Sequence, residues 1–438
     1  MTPERPNIVL IFSDQQHWRA WGGEDPTFET PNLDRLAQQS FVFGRSFCTT
    51  PQCSPSRSSM FTGRYPSETG VMGNIGAYGG APLRTETVAT RLQAEGYATA
   101  YFGKWHLGQD PTGTTGWDEA AGDICTDRPA DAETTRLGLD FLRRRAGQRP
   151  FALFLSYNNP HDIYEYDPLA PALGRCPPLP ESWHRQAFEQ VPSVQEAFMT
   201  QDQGTLIHGL EADIWQGYRA FYREKVRLYD AEVGRVLDAL ERRGAVDNTL
   251  VIVTSDHGDM DTHHRLIFKG PFMYEQMVRV PLMIRVPASL SSSSPRRVDD
   301  VDVVNTDLAP TLLDYAGGSP DGLLADGFSL RPLLTGSGPG PCRDYVIGQY
   351  HGKQRWVNPI RMIRTAEFKY NRYLAHGEEL YHLSEDPHEL VNLAADPGYR
   401  CIKVELGAEL DGWIAAHDDP FYDLTVTDRA GLQLDVRV

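Results

Sequence analysis

Cysteine is scarce in this chain of 438 residues: six thiols, Cys48, Cys53, Cys125, Cys176, Cys342 and Cys401, lie scattered along it. Disulfide scaffolds pack their cysteines densely into short chains, so that class is excluded and reduced thiols are expected. Long apolar runs are also lacking, and none approaches the roughly 18 residues of a membrane span. The N-terminus, Met-Thr-Pro-Glu-Arg-Pro-Asn, turns apolar for only six residues, Ile8 to Ser13. It has no basic start, longer apolar core or small-residue cleavage site of an export signal. The expected compartment is therefore the cytoplasm, with the proviso that a trimmed export signal would leave the same beginning. Basic residues are in deficit, 42 against 59 acidic, for a formal charge of −17. Counterion release on duplex DNA or an anionic membrane needs a basic face, so neither nucleic acid nor membrane is an expected partner. A small anionic substrate is not excluded, because a few local cations or a metal can reverse the field inside one pocket.

What remains is ordinary soluble composition, 40% hydrophobic and 23% charged. Domains usually hold roughly 100–200 residues, so one large or two unequal domains are expected. Asn7–Ser13, Tyr97–Gly103, Phe151–Tyr157 and Thr249–Ser255 are nearly continuous in apolar residues and read as buried strands. Between them, 31–39, 85–95, 131–145 and 213–243 carry helical periodicity, with Gly96 and Gly244 as helix stops. This alternation predicts an α/β fold, a largely parallel sheet with helices on both faces. Ser289–Arg297 reads as a flexible polar loop and Thr335–Pro341 as a Gly/Pro linker. Beyond it, short runs at 345–349, 361–364, 369–373 and 379–383 predict a small antiparallel sheet followed by a helix. The expected division is a catalytic domain, 1–335, and a smaller α+β subdomain, 336–438.

Ligands of parallel sheets sit outside the carboxyl ends of the strands. There the first run leads into Asp14 and Gln15, and the fourth into Asp256 and His257, then Gly258-Asp259. Two carboxylates and two neutral donors on one edge suit a hard divalent cation, Ca²⁺ or Mg²⁺. Either half alone reads more often as a turn or helix cap. Stronger is Cys53-Ser-Pro-Ser-Arg57-Ser-Ser-Met-Phe-Thr62-Gly63, of the form C-x-P-x-R-x-x-x-x-T-G. Its five fixed positions give a chance match on the order of 10⁻⁴ in a chain of this length under uniform residue usage. A buried structural cysteine is the bland reading of an isolated thiol, and it leaves the whole pattern to accident.

This segment resembles the sulfatase signature, whose cysteine is oxidised after translation to formylglycine. The resemblance runs along nearly the whole chain and keeps the family's order. It includes Asp14-Gln15-Gln16, Gly103-Lys104-Trp105-His106-Leu107-Gly108 and Asn159-Pro160-His161. Further on come Ser255-Asp256-His257-Gly258-Asp259-Met260, Phe268-Lys269-Gly270-Pro271-Phe272, Glu379-Leu380-Tyr381-His382-Leu383 and Asp386-Pro387. It implies the alkaline-phosphatase-like fold: a mixed, mostly parallel sheet flanked by helices, with a smaller C-terminal α+β subdomain containing an antiparallel sheet.

The implied reaction is hydrolysis of a sulfate monoester, R–O–SO₃⁻ plus water giving R–OH and sulfate, on a small or carbohydrate ester. Cys53 as hydrated formylglycine would attack sulfur, with a metal acting as Lewis acid. The implied ligands are Asp14, Gln15, Asp256, His257 and the side chain at Cys53. Arg57 lies four residues after Cys53, so on a helix started by Pro55 the two share a face and Arg57 can stabilise the diol. Helix amides there favour an anion as well. Lys104 and Lys269 resemble the cations that contact formylglycine and sulfate. His161 would protonate the leaving alcohol, and His106 would take the proton that releases sulfate by elimination. The resemblance also implies a formylglycine-generating enzyme as maturation partner. A homo-oligomer is compatible with the sequence, which fixes no oligomeric state.

Two departures bear on the metal and the substrate. Gln15 stands where many members carry a second Asp, and His257 where others have Asn; the softer nitrogen admits Mn²⁺ beside Ca²⁺ and Mg²⁺. Members with this pair include choline-sulfatase-like and phosphonate-monoester-hydrolase-like enzymes as well as carbohydrate sulfatases. A phosphonate monoester or phosphodiester hydrolase using the same site is thus the second reading. A silent homologue that only binds sulfated ligands is the third, and it would have lost a cysteine, lysine or ligand that is present here. Asp162-Ile163-Tyr164 and Thr262-His263-His264 are expected on the substrate side, and Trp18, Trp21, Tyr157, Tyr164 and Trp183 are the candidate stacking rings, most of them expected in packing.

Overall fold

The computed structural model describes residues 5–108, 110–111, 116–121, 130–145, 150–172, 174–319 and 327–434; Cys125 lies outside them. The strands of the first part are β1 (Asn7–Asp14), β2 (Phe41–Phe43), β3 (Ser46–Phe47), β4 (Ala98–Gly103), β5 (Glu119–Ala121), β6 (Phe151–Pro160), β7 (Thr249–Ser255), β8 (Leu282–Arg285), β9 (Arg297–Val298) and β10 (Val303–Val304). Eight of them form one sheet in the order β5-β4-β6-β1-β7-β8-β2-β9. Its pairings are parallel except where β8 meets β7 and β2.

β1 explains why the sheet is covered on both sides. Its alternate residues Ile8, Leu10 and Phe12 pack with Met60, Phe61, Leu92 and Leu312, while Val9 and Ile11 pack with Phe141, Leu142, Tyr229 and Val233. Each such side chain contributes roughly 1.5–3 kcal/mol on burial. The helices that supply these partners are Cys53–Thr62, Val88–Ala94 and Leu308–Ala316 on one face, Asp131–Arg145 and Ala212–Arg242 on the other. The helix read as 85–95 begins only at Val88, because the Thr87 hydroxyl accepts from the Ala89 N–H and caps it. Gly96 and Gly244 end their helices with φ of 85° and 61°.

The C-terminal part is an antiparallel sheet of β11 (Val346–Lys353), β12 (Trp356–Arg364), β13 (Phe368–Tyr373) and β14 (Gly377–His382) in chain order. One face packs Ile347, Ile363 and Leu380 against Leu406, Leu410 and Trp413 of the helix Arg400–Ala416. The other face sets Tyr350, Ile360 and Met362 against Phe198, Phe272 and Met273 of the first part. Buried charges tie the same junction: Glu275 meets Arg364 at 3.0 Å and Lys369 at 2.8 Å, and Lys369 also reaches Glu389 at 2.7 Å.

Two expectations change. The serine-rich loop is stitched down rather than loose, since Ser291 and Ser292 donate to the Leu334 and Thr335 carbonyls at 2.6 and 2.7 Å. The signature helix starts at Cys53, two residues before Pro55. Among the described residues the cysteines are free thiols, and no helix is long and apolar enough to cross a membrane.

Candidate active site

The site grows from the carboxyl edge of the sheet. β1 and β7 pair in parallel with Ser13 opposite Ser255, so the next residues, Asp14 and Asp256, emerge side by side. The chain then turns sharply at Gln15, whose φ is 73° and whose N–H donates to Asp256 Oδ1 at 3.1 Å. The His257 N–H donates to the same oxygen at 2.9 Å. His257 Nδ1 lies 2.9 Å from the Gly258 carbonyl. A carbonyl only accepts, so Nδ1 carries a proton and Nε2 faces the site.

The helix Cys53–Thr62, all ten residues buried, brings its first residue to this edge. Ser56 donates to the Asp256 carbonyl and accepts from Asn305 Nδ2 at 2.9 Å, which anchors the helix start. Arg57, fully buried, spends its guanidinium on Asp14 Oδ2 and Asp256 Oδ2 at 2.9 Å each, the Lys104 carbonyl at 2.6 Å and Ser156 Oγ at 2.8 Å. Its bonds thus go to the two carboxylates and not to the thiol on its own helix.

Cys53 Sγ accepts from Lys269 Nζ at 2.8 Å and lies 3.3 Å from His257 Nε2 and 3.5 Å from Asp14 Oδ1. Lys104 Nζ is 3.0 Å from Asp14 Oδ2. Gly103 makes that lysine's approach possible: its φ is 103°, and a Cβ there would sit 1.9 Å from the Ser156 carbonyl oxygen. His106 and His161 both stand close enough to the Cys53 sulfur to act on it electrostatically. His161 opens the turn after β6, with Tyr164 at a ring distance of 4.9 Å; Tyr164 in turn stacks on Phe268 at 4.2 Å.

Charge is arranged to hold an anionic nucleophile. Burial raises the Cys53 thiol, yet Lys269, Lys104 and His257 outweigh it and hold the pKa well below the usual thiol range. Burial and the Cys53 charge raise Asp14, but Lys104, His161 and Lys269 lower it further, while Asp256 is pushed up by burial and by Asp14. Burial, joined by Lys104 and Lys269, pulls His161 down to about 4 against the opposing Asp14.

A metal fits these residues. Asp14, Cys53, Asp256 and His257 are buried and present ligand atoms all within 4.8 Å of one another. Gln15 donates through Nε2 to Asp259 Oδ2 at 2.7 Å, and its Oε1 is a buried acceptor with no hydrogen-bond partner, one a cation would satisfy. Asp14, Gln15, Cys53, Arg57, Lys104, His106, His161, Asp256, His257 and Lys269 all come to this edge.

The expected substrate-side residues fare differently. His263 and His264 are buried: the first bonds Ser182 at 3.1 Å, the second bonds Gln186 at 2.9 Å and stacks on Tyr274 at 3.8 Å. Thr262, also buried, accepts from Arg219. All three shape the loop's interior instead of a substrate face. Trp21 and Tyr157 belong to the core, Trp18 is covered by Arg279, and Trp183 packs on Trp215. Of the five rings only Tyr164 adjoins the site, 5.8 Å from Lys269 Nζ. Sequence reading missed Ser56, Ser156 and Asn305, which carry no spacing signal, and Lys353 from β11.

The sulfatase family profile matches residues 6–319, and that of the N-sulphoglucosamine sulphohydrolase C-terminal region matches 263–415. Delta 4,5-hexuronate-2-O-sulfatase of Bacteroides thetaiotaomicron is 29% identical over 445 residues, covering 97% of this chain and 92% of its own. The solved structure of a 2-O GAG sulfatase has a TM-score of 0.88 at 28% identity, covering 97% of this chain and 95% of that one. Phosphonate monoester hydrolase of Agrobacterium radiobacter has a TM-score of 0.76 at 26% identity, with 99% and 100% covered.

Proposed function

We propose that this chain, which belongs to the sulfatase family, removes sulfate from a sulfated carbohydrate through formylglycine made from Cys53. It is a sulfuric ester hydrolase, R–O–SO₃⁻ plus water giving R–OH and sulfate. One observation carries the reading: Cys53 Sγ sits 2.8 Å from Lys269 Nζ inside a buried Asp14, Asp256 and His257 donor set. The hexuronate and GAG sulfatases it resembles support a sugar as the alcohol half.

Asp14, Gln15, Asp256 and His257, with the oxidised side chain at position 53, would hold the metal. Oxygen-rich ligation supports Ca²⁺, and the same donors admit Mg²⁺ or Mn²⁺. When present, the cation supplies Lewis acidity and the hydrated aldehyde supplies the nucleophilic oxygen. Lys269 and Lys104 bind the sulfate and oppose its growing charge. Arg57 orients both carboxylates. An arriving sulfate offsets the Lys104 and Lys269 charges that help hold His161 low, so that His161 can give a proton to the leaving oxygen of the alcohol, and His106 takes one from the side chain at position 53. A formylglycine-generating enzyme is the proposed maturation partner and the cytoplasm the proposed compartment, a reading the free cysteines support. A homo-oligomer is proposed as well, to be read by analytical ultracentrifugation.

Mass spectrometry of the tryptic peptide spanning Cys53 should read about 18 Da below the cysteine form. Sulfate release from 4-nitrophenyl sulfate and from a sulfated monosaccharide should be lost in Cys53→Ala. Full turnover by that variant would refute the proposal. Faster turnover of bis-nitrophenyl phosphate than of any sulfate ester would favour instead the phosphodiester or phosphonate reading, which the resemblance to phosphonate monoester hydrolase supports.

A further inference from the structure

β11 carries Lys353 out of the C-terminal sheet and up to the nucleophile pocket. Its ammonium donates to the Lys269 carbonyl at 3.0 Å and to Gln203 Oε1, both neutral acceptors. It stands 5.2 Å from the Phe198 ring centroid and 5.9 Å from that of Tyr164. Lys269 Nζ lies 5.8 Å from the same Tyr164 ring. Two ammonium groups therefore share one aromatic ring, and only Lys269 is engaged with Cys53. Among the described residues no carboxylate reaches Lys353 within ion-pair distance. Asp202 and Asp259 act on it from further away, and Asp202 is itself paired with Arg429 at 3.3 Å.

A half-buried ammonium hydrogen-bonded only to neutral acceptors is incompletely compensated. Burial, countered in part by Asp202 and reinforced by Lys269, brings its pKa down to about 7. An arriving anion would reverse that, since an opposite charge nearby favours the protonated form. The space for one is present: a cleft of about 900 Å³ adjoins Lys353, lined also by Tyr78, Arg355, Arg429, Asp202 and Asp428. Three cations face two carboxylates there, on a protein whose formal charge is −17. Tyr78, 48% exposed, adds a ring against which a sugar can stack.

We propose that Lys353 binds a second anionic group of the substrate, a carboxylate or a further sulfate on the sulfated sugar or its neighbour, and so selects acidic saccharide esters over neutral ones. This rests on the carbohydrate-sulfate reading of the site. The test compares wild type, Lys353→Met and Lys353→Arg on four esters: 4-nitrophenyl sulfate, a neutral-sugar monosulfate, a hexuronate 2-sulfate and a disulfated glucosamine. Lys353→Met should lose at least tenfold more kcat/KM on one or both doubly anionic esters than on the neutral-sugar ester, chiefly through KM. Which of the two suffers tells carboxylate from sulfate, and Lys353→Arg should restore most of the loss. Because the readout is a ratio within one preparation, partial misfolding cancels. Equal losses on every ester, or losses confined to kcat, would overturn the role of Lys353 while leaving the carbohydrate reading intact. Wild-type turnover of 4-nitrophenyl sulfate with none of any sugar sulfate would overturn the carbohydrate reading, and this subsite with it.

Discussion

Arg57→Met is the substitution whose cost follows most directly from the geometry. The guanidinium is wholly buried and makes four bonds, two of them at 2.9 Å to carboxylates that are themselves wholly buried. Hydrogen bonds to charged groups are worth about 1.5–3 kcal/mol each, and removing one partner of a buried pair costs about 3–5 kcal/mol. Methionine keeps the length and loses both ion pairs, leaving Asp256 without its guanidinium and Asp14 with Lys104, at 3.0 Å, as its close counter-charge. The expected loss is about 3–5 kcal/mol, measured by urea denaturation with chelator present so that no cation compensates. Arg57→Lys keeps the charge but lacks the planar fork that reaches two carboxylates at once, so it should fall between. A methionine variant within about 1 kcal/mol of wild type would refute the claim that this side chain holds the two buried carboxylates together.

Three further outcomes are expected. His161→Ala should lower turnover of a sugar sulfate by about 10²- to 10⁴-fold, the range for a general acid, and that of 4-nitrophenyl sulfate far less, because nitrophenolate leaves without a proton; equal losses in steady-state assays would contradict the role. Chelation should lower the thermal midpoint of wild type, a cation at a hundred times its Kd being worth about 2.7 kcal/mol, and should leave Asp256→Asn unmoved. His264 titrates at about 3 when folded, through burial and then Lys369, against an ordinary 6.5. The unfolded chain thus binds a proton that the folded chain refuses, and stability falls as pH drops from 6.5 towards 3, by up to roughly 4 kcal/mol. His264→Phe, which keeps the ring on Tyr274, should flatten the urea midpoint across that window relative to wild type, and an unchanged slope would count against it.

The strands that build the site are legible in the sequence for a physical reason. β1, β4, β6 and β7 are buried on both faces, so they read as unbroken apolar runs. Parallel neighbours then deliver Asp14, Lys104, His161 and Asp256 to one edge. β2, β8 and β9, two to four residues long, are too short to show any period, and the reversed direction of β8 is set by the path of the chain rather than by its residues. Ser56, Ser156 and Asn305 are small polar residues of a kind found everywhere, and their bonds alone mark them. Lys353 escapes notice because a separate sheet brings it to the pocket. His263 and His264, close to Asp256, His257 and Lys269 in sequence, turn inward, which adjacency along the chain does not reveal.

The pairing of Ser13 with Ser255 works as a ruler. The gap between the Asp14 and Asp256 carboxylates is set by a backbone ladder, so lengthening a distant connection leaves it alone. These carboxylates thereby stand on a fixed ledge, whereas the β11–β12 hairpin and the cleft beside Lys353 form an editable rim. New alcohols can be accommodated by rewriting that rim one side chain at a time, with the ledge inherited unchanged.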